Sequence, residues 1–349
     1  MPNFQETERL RKYVFPRLLI IPLGGFACAV TILLRALIYR ELRFMPASMK
    51  TLGIDFKSDP PRSPRLEILP LPEDVWQHAM LRDNERALLN NARNVDELIA
   101  EIERPGGRLH WLSKTGLYWQ QLLDRYRRQE AGQVPRLAAF FAALEAREHL
   151  RFGKTWFKQL KNALADLRIE NSKLVEELLH QGVRADSLSD DSRIIALVVY
   201  GGRGGTGNGL SQVMALALHE LASQLELDIE IIGVPLTGAY RMDDGTEEMK
   251  EALEYALVSD LESSTARDAF RSFPVGEDEA FSHHGPLWDT LYRIETTSYR
   301  AHMEEAAMYH AARVLRLLFF TRVGYDWRKN FGNDPMRREV KNLASIAAA

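Results

Sequence analysis

Residues 193–209 read RIIALVVYGGRGGTGNG, an unbroken apolar run that passes straight into a bend with six glycines in nine residues. A run of this kind, apolar without alternation, is what a strand buried on both faces looks like, and such strands belong to parallel sheets covered by helices. Glycines in series remove Cβ atoms where the backbone must come close to something, so successive N–H groups can converge on an anion. The apolar pattern then predicts a helix over 210–225, whose N-terminus adds roughly half a positive charge in the same direction. Thr206 and Asn208 offer side-chain hydrogen bonds to phosphate oxygens. A flexible linker is the plainer alternative, but linkers seldom begin at a buried parallel strand.

Elsewhere the chain alternates in the same manner. Strands are expected at 17–23, 50–56, 193–200, 228–234 and 287–295, and helices at 27–43, 72–104, 111–129, 136–180, 245–260 and 299–320. Strands joined by helical crossovers imply a doubly wound, mostly parallel α/β sheet. Pro60, Pro61 and Pro64 make 59–72 a connector. The domain reading is an N-terminal extension over 1–16, a nucleotide-binding domain over 17–323 with a large helical insertion at about 60–185, and a tail over 324–349. Residues 18–34 are uncharged and follow a basic start, which is the lower limit for a membrane span. Pro22 and Gly24-Gly25 interrupt that run, so strand, turn and helix is the preferred reading and a signal anchor the alternative.

Composition closes off several classes. With 46% apolar and 27% charged residues the chain is neither disordered nor collagen-like. The single cysteine, Cys28, excludes an internal disulfide and a cysteine-based zinc site. A net charge of −3, from 45 basic and 48 acidic side chains, argues against a dedicated nucleic-acid binder. A P-loop needs a Gly-Lys-Ser/Thr ending, and the glycine bend holds no lysine. A Rossmann fingerprint follows the first strand, where only Gly24-Gly25 stands.

Two glycine turns, a modest one after the first strand and a rich one after a mid-chain strand, resemble the tubulin/FtsZ superfamily, in particular its bacterial tubulin-like branch. Gly204-Gly205-Thr206-Gly207-Asn208-Gly209 looks like the signature phosphate loop of that superfamily. Leu23-Gly24-Gly25 resembles its first nucleotide loop, and Gly53-Ile54-Asp55-Phe56-Lys57-Ser58-Asp59 its second strand and loop. Ala131-Gly132-Gln133 resembles the γ-phosphate-sensing loop. Val234-Pro235-Leu236, the strand at 288–295 and the helix 299–320 follow in the family's order.

The resemblance implies a GTP or GDP site formed by Gly24, Gly25, Phe26, Cys28, Asp55, Lys57, Gly132, Gln133, Gly201, Gly202, Arg203, Gly204, Gly205, Thr206, Gly207, Asn208 and Gly209. Asp55 and Asp59 are the candidates for Mg2+ held through water. The family reads guanine with an Asn after the sixth strand. Here Glu295-Thr296-Thr297-Ser298 stands in its place, so Glu295 is the candidate for the guanine edge, with Tyr299 and His302 for stacking. Hydrolysis in the family uses an acidic loop brought by the next subunit. The stretch 330–339 departs from that pattern, leaving Asp334 and Glu339 as weak catalytic candidates, and the family's second domain is expected to be missing.

Two functions follow as expectations: a cytoplasmic GTP-binding protein that assembles with itself or a partner under nucleotide control, its hydrolysis weak or lost, or a non-hydrolysing scaffold. A dinucleotide-dependent oxidoreductase is the third. Arg147, Arg151, Lys154, Lys158 and Lys161 form a basic stripe on the insertion. It reads as a solvated face opposite Trp156, Leu160 and Leu164, or else as a dock for an acidic partner or nucleic acid. Neither nucleic acid nor membrane is expected as a partner.

Overall fold

A computed structural model describes residues 12–55, 71–89, 99–100, 102–106, 142, 156–168, 171–183, 193–202, 205–238, 247–275, 280–296, 303–333 and 344–347. In chain order the elements are β1 (Arg17–Leu23), α1 (Gly25–Leu42), β2 (Met49–Thr51), β3 (Gly53–Asp55), α2 (Glu73–Ala79), β4 (Arg86–Leu88), α3 (Trp156–Leu167), α4 (Asn171–His180), β5 (Ile194–Gly201), α5 (Gly205–Leu225), β6 (Ile229–Gly238), α6 (Glu247–Ser264), β7 (Phe270–Pro274), β8 (Ala280–His284), β9 (Thr290–Thr296), α7 (Met303–Phe320), α8 (Arg322–Asn333) and β10 (Ala344–Ala347). Eight strands form one sheet in the order β10-β9-β6-β5-β1-β3-β4, with β2 also on β1. Every pairing in that sheet is parallel. The doubly wound architecture expected from the sequence is the one that forms.

Alternate residues of the central strands feed two cores. Leu18, Ile20, Leu197, Val199, Val234 and Ile294 pack under α1, α2 and α7, whereas Leu19, Ile21, Leu23, Ala196, Val198 and Tyr200 pack under α3 and α5. Both faces of β1 and β5 are therefore dry, which is why their sequences are apolar at every position. No helix among the described residues is long and apolar enough to cross a membrane. The stretch 18–34 is instead β1, a glycine turn and the first half of α1.

Three local expectations need correction. The strand expected over 50–56 divides at Leu52 into β2 and β3. On that side β1 donates from Leu18 N–H to the Ser48 carbonyl, and the turn residue Gly24 donates to Ile54. The donor position just before Gly24 on that side belongs to Pro22, which has no N–H, so the ladder skips one bond. The helix expected over 72–104 ends at Ala79, and β4 occupies part of its range. A three-residue strand is too short to show any periodicity. Its place is set by Arg35, only 4% exposed, which holds Glu85 through two hydrogen bonds of 2.7 and 3.2 Å and so ties α1 to the turn before β4.

The third correction concerns 270–284, where an antiparallel hairpin of β7 and β8 was not anticipated. Phe281 of this hairpin stacks on Phe157 of α3 at 5.3 Å. Trp156, Leu160 and Leu164 are buried as the amphipathic pattern predicts. Lys158 and Lys161 belong to the half-buried side of α3, while Arg147, Arg151 and Lys154 fall outside the described residues. The hairpin also brings His283 against His219 of α5, with ring centroids 3.6 Å apart and planes 11° from parallel. His219 Nε2 donates to the Leu287 carbonyl at 3.1 Å.

Burial, and then the neighbouring imidazole, keep His219 below its ordinary value of 6.5, and burial lowers His283 likewise. The unfolded chain therefore takes up protons near that value while the folded chain does not, so stability falls as pH drops below about 6.5. Urea midpoints are expected to decline between about pH 7.5 and pH 5.5, and to decline less in His219→Gln. A separate test addresses β4. Glu85→Ala leaves the Arg35 guanidinium buried without its carboxylate and is expected to cost on the order of 3 kcal/mol in denaturant unfolding.

Candidate nucleotide site

The sheet's winding reverses between β1 and β5. From β1 the chain moves to β3 and β4 on one side, and from β5 to β6 and β9 on the other. Parallel strands deliver all their C-terminal ends to one edge, and the crevice at such a reversal is where open α/β sheets bind ligands. Both glycine turns stand there. Gly24 follows Leu23, whose register partner is Tyr200, and Gly201-Gly202 follow Tyr200 directly.

The two turns are in contact. Gly24 has φ +84°, a left-handed conformation natural to glycine, and a Cβ on it would stand 3.3 Å from Thr206 Cβ and 3.6 Å from Gly207 N. A Cβ on Gly207 would lie 2.9 Å from Gly201 N, 3.0 Å from the Leu23 carbonyl oxygen and 3.1 Å from Tyr200 Cβ. Backbone atoms cannot swing aside, so only glycine fits at 207. The result is that α1 and α5 start side by side, each at the end of one of the two central strands.

Helix α5 begins at Gly205 and not at 210, so most of the glycine bend forms its first turns. Its amides at 205–207 precede the first i→i−4 donor of the helix. Gly202 N–H is already donated to the Leu236 carbonyl at 2.8 Å and extends the β5–β6 ladder, so this glycine keeps no amide for a ligand. Thr206 and Asn208 are 9% and 4% exposed, and Ser211 Oγ donates to the Asn208 carbonyl. Neither α1 nor α5 has an acidic residue in its first turn, and no side chain caps α1 at Gly24. Two positive helix ends thus meet without a protein carboxylate on them from within, an arrangement fitted to a polyanion.

Beside these ends lies Asp55 at the close of β3, with Oδ2 3.6 Å from where a Gly25 Cβ would be. Phe26 is half-buried in the first turn of α1. Cys28 points inward: its Sγ lies 3.9 Å from the Pro22 carbonyl, and its N–H bonds to Gly24. Burial pushes its thiol well above the ordinary range, with the Asp55 charge adding to this and Arg86 opposing it. Cys28, Gly53, Asp55, Arg86, Ala87 and Leu88 line one small cavity. Arg86 was not foreseen because β4 was not. Among the described residues no three His, Cys, Asp or Glu side chains gather to hold a metal, and of the two Mg2+ candidates only Asp55 is described.

Glu295, next to last in β9, stands opposite Thr237 of β6 and is paired with Arg293 Nη2 at 3.2 Å. Lys57, Asp59, Gly132, Gln133, Arg203, Gly204, Tyr299, His302, Asp334 and Glu339 lie outside the described residues. The sites drawn together are therefore Gly24, Gly25, Phe26, Asp55 and 205–209, with Gly201, Gly202 and Glu295 on the neighbouring strand ends.

No protein-family model matches the chain, and no curated protein does. Among solved structures it is similar to CetZ2 from Haloferax volcanii, solved as a GTPγS-bound protofilament, with 14% identity and a TM-score of 0.38. It is also similar to CetZ1 from the same organism, a GDP-bound monomer, with 12% identity and a TM-score of 0.38. The matches cover 87% of this chain but only 58% and 60% of those chains.

The close fit at the crossing gives a direct test. Gly207→Ala is expected to lose about 2 kcal/mol of unfolding free energy, as in an overpacked core. Gly24→Ala should lose about 1 kcal/mol through its positive φ. Guanidinium titration of each variant against the parent checks both values.

Proposed function

We propose that this chain is a tubulin-like GTP-binding protein, cytoplasmic, in which the bound nucleotide controls assembly with further copies of the chain or with a partner. One observation carries the reading: two glycine-initiated helix ends with no acidic residue in their first turns meet at the reversal point of a parallel sheet. GTP, when bound, supplies the polyphosphate that neutralises these ends. The amides at 205–207 hold phosphate oxygens, and the Thr206 and Asn208 side chains fix their orientation. The start of α1 at Gly25 and Phe26 meets the same phosphates from the other side. Asp55 is placed to receive Mg2+ through water. Glu295 faces the donors of the guanine edge, and hydrolysis is slow because the acids at Asp334 and Glu339 depart from the family's spacing.

Labelled GTP is expected to bind the parent and to bind Gly205→Val at least tenfold more weakly, since a branched side chain at the first helical residue blocks backbone approach. Equal binding by the two proteins sinks the assignment. That same departure from the acidic pattern favours a second reading, a scaffold that binds nucleotide without turning it over. Phosphate release per molecule separates them. It climbs with protein concentration if a neighbour completes the catalytic site, and stays flat near zero for a scaffold.

A further inference from the structure

Three polar side chains at the C-terminal ends of β6 and β9 touch one another in series. Thr237 is buried, and its Cγ2 lies 3.3 Å from the point where a Gly202 Cβ would stand. Arg293 donates from Nε to Thr237 Oγ1 at 3.2 Å and from Nη2 to Glu295 Oε2 at 3.2 Å. Thr237 is the register partner of Glu295, and Gly201 that of Leu236, so Gly202, Thr237 and Glu295 form a row across three adjacent strands. Two strand spacings place Glu295 about 10 Å from the glycine bend, the reach of a nucleotide lying across the sheet edge.

The Arg293 and Glu295 side chains are 30% and 36% exposed. An ion pair this open to water contributes little to folding. What it does achieve is orientation: a planar guanidinium fixed at one nitrogen by Thr237 leaves the carboxylate a narrow choice of position. With Oε2 engaged, Oε1 and the outer lone pairs remain, and an ionised carboxylate presents acceptors only. A purine edge with two adjacent N–H donors matches that surface. An edge whose ring nitrogen is itself an acceptor is repelled by it.

From these contacts we infer that Arg293 is a positioning residue for base selection. It pins Glu295 beside Thr237 so that the carboxylate accepts guanine and refuses adenine. The inference rests on the nucleotide reading given above, and it goes further in naming the side chain that sets the choice between bases.

Calorimetric titration of the full chain with GTP and with ATP tests it, using the parent, Arg293→Gln, Arg293→Lys and Glu295→Gln. The parent is expected to prefer GTP. In Arg293→Gln that preference should fall by about tenfold, the size of one charge-assisted hydrogen bond, through weaker GTP binding at unchanged ATP affinity. Arg293→Lys should restore part of it and serves in its place if the glutamine variant does not fold, while Glu295→Gln should lose the preference. Equal weakening of GTP and ATP in Arg293→Gln makes Arg293 a phosphate or packing contact and overturns the assignment. An unchanged ratio overturns it too. A parent that binds neither nucleotide overturns the nucleotide reading itself, a result distinguishable from the other two.

Discussion

Gly24 meets the first turn of α5 and Gly207 meets the ends of β1 and β5 so closely that neither accepts a side chain without cost, and the rest of the molecule is arranged around that crossing. Because they follow β1 and β5, the contact fixes how the starts of α1 and α5 stand relative to the two central strands. It also brings the amides of both first turns into one crevice. A parallel sheet makes this natural, since the strand ends on which such turns form all face the same way. The same geometry sends α1 to one face of the sheet and α5 to the other, so the two cores and the crevice share one cause.

The central part of this design was legible from residue types. RIIALVVY could be buried on both faces only in a parallel sheet, and glycines in series directly after it marked a close backbone approach. Pro22 was legible as an interruption of a membrane span, but its second effect was not. Only pairing shows that its missing N–H faces Leu52 and divides the neighbouring strand. The helix start moved from 210 to 205 because helix propensity counts glycine against a helix, while burial and the crossing with Gly24 decided otherwise.

What stayed hidden depends on register or on very short elements. β4 is three residues long, and its place comes from the Arg35–Glu85 pair and from β3, neither of which a local pattern reveals. The hairpin of β7 and β8 was missed for a related reason: it buries Phe281 against α3 while leaving Phe270 exposed, so no clean alternation appears. Arg293 and Glu295 are two positions apart in sequence, a spacing that signals a strand face. That Thr237 completes the group follows only from how β6 and β9 are aligned.

The union of β1 with β5 carries a consequence for how the protein comes into being. Arg17 pairs with Ile194, so the middle of the sheet closes only once the distant β5, Ile194–Gly201, has emerged. Until then α1, apolar around most of its circumference, has half its packing surface without a mate. Non-local pairing of this kind is slow and leaves sticky surface open during synthesis. The nascent N-terminal portion is therefore the stage at which chaperones have most to bind.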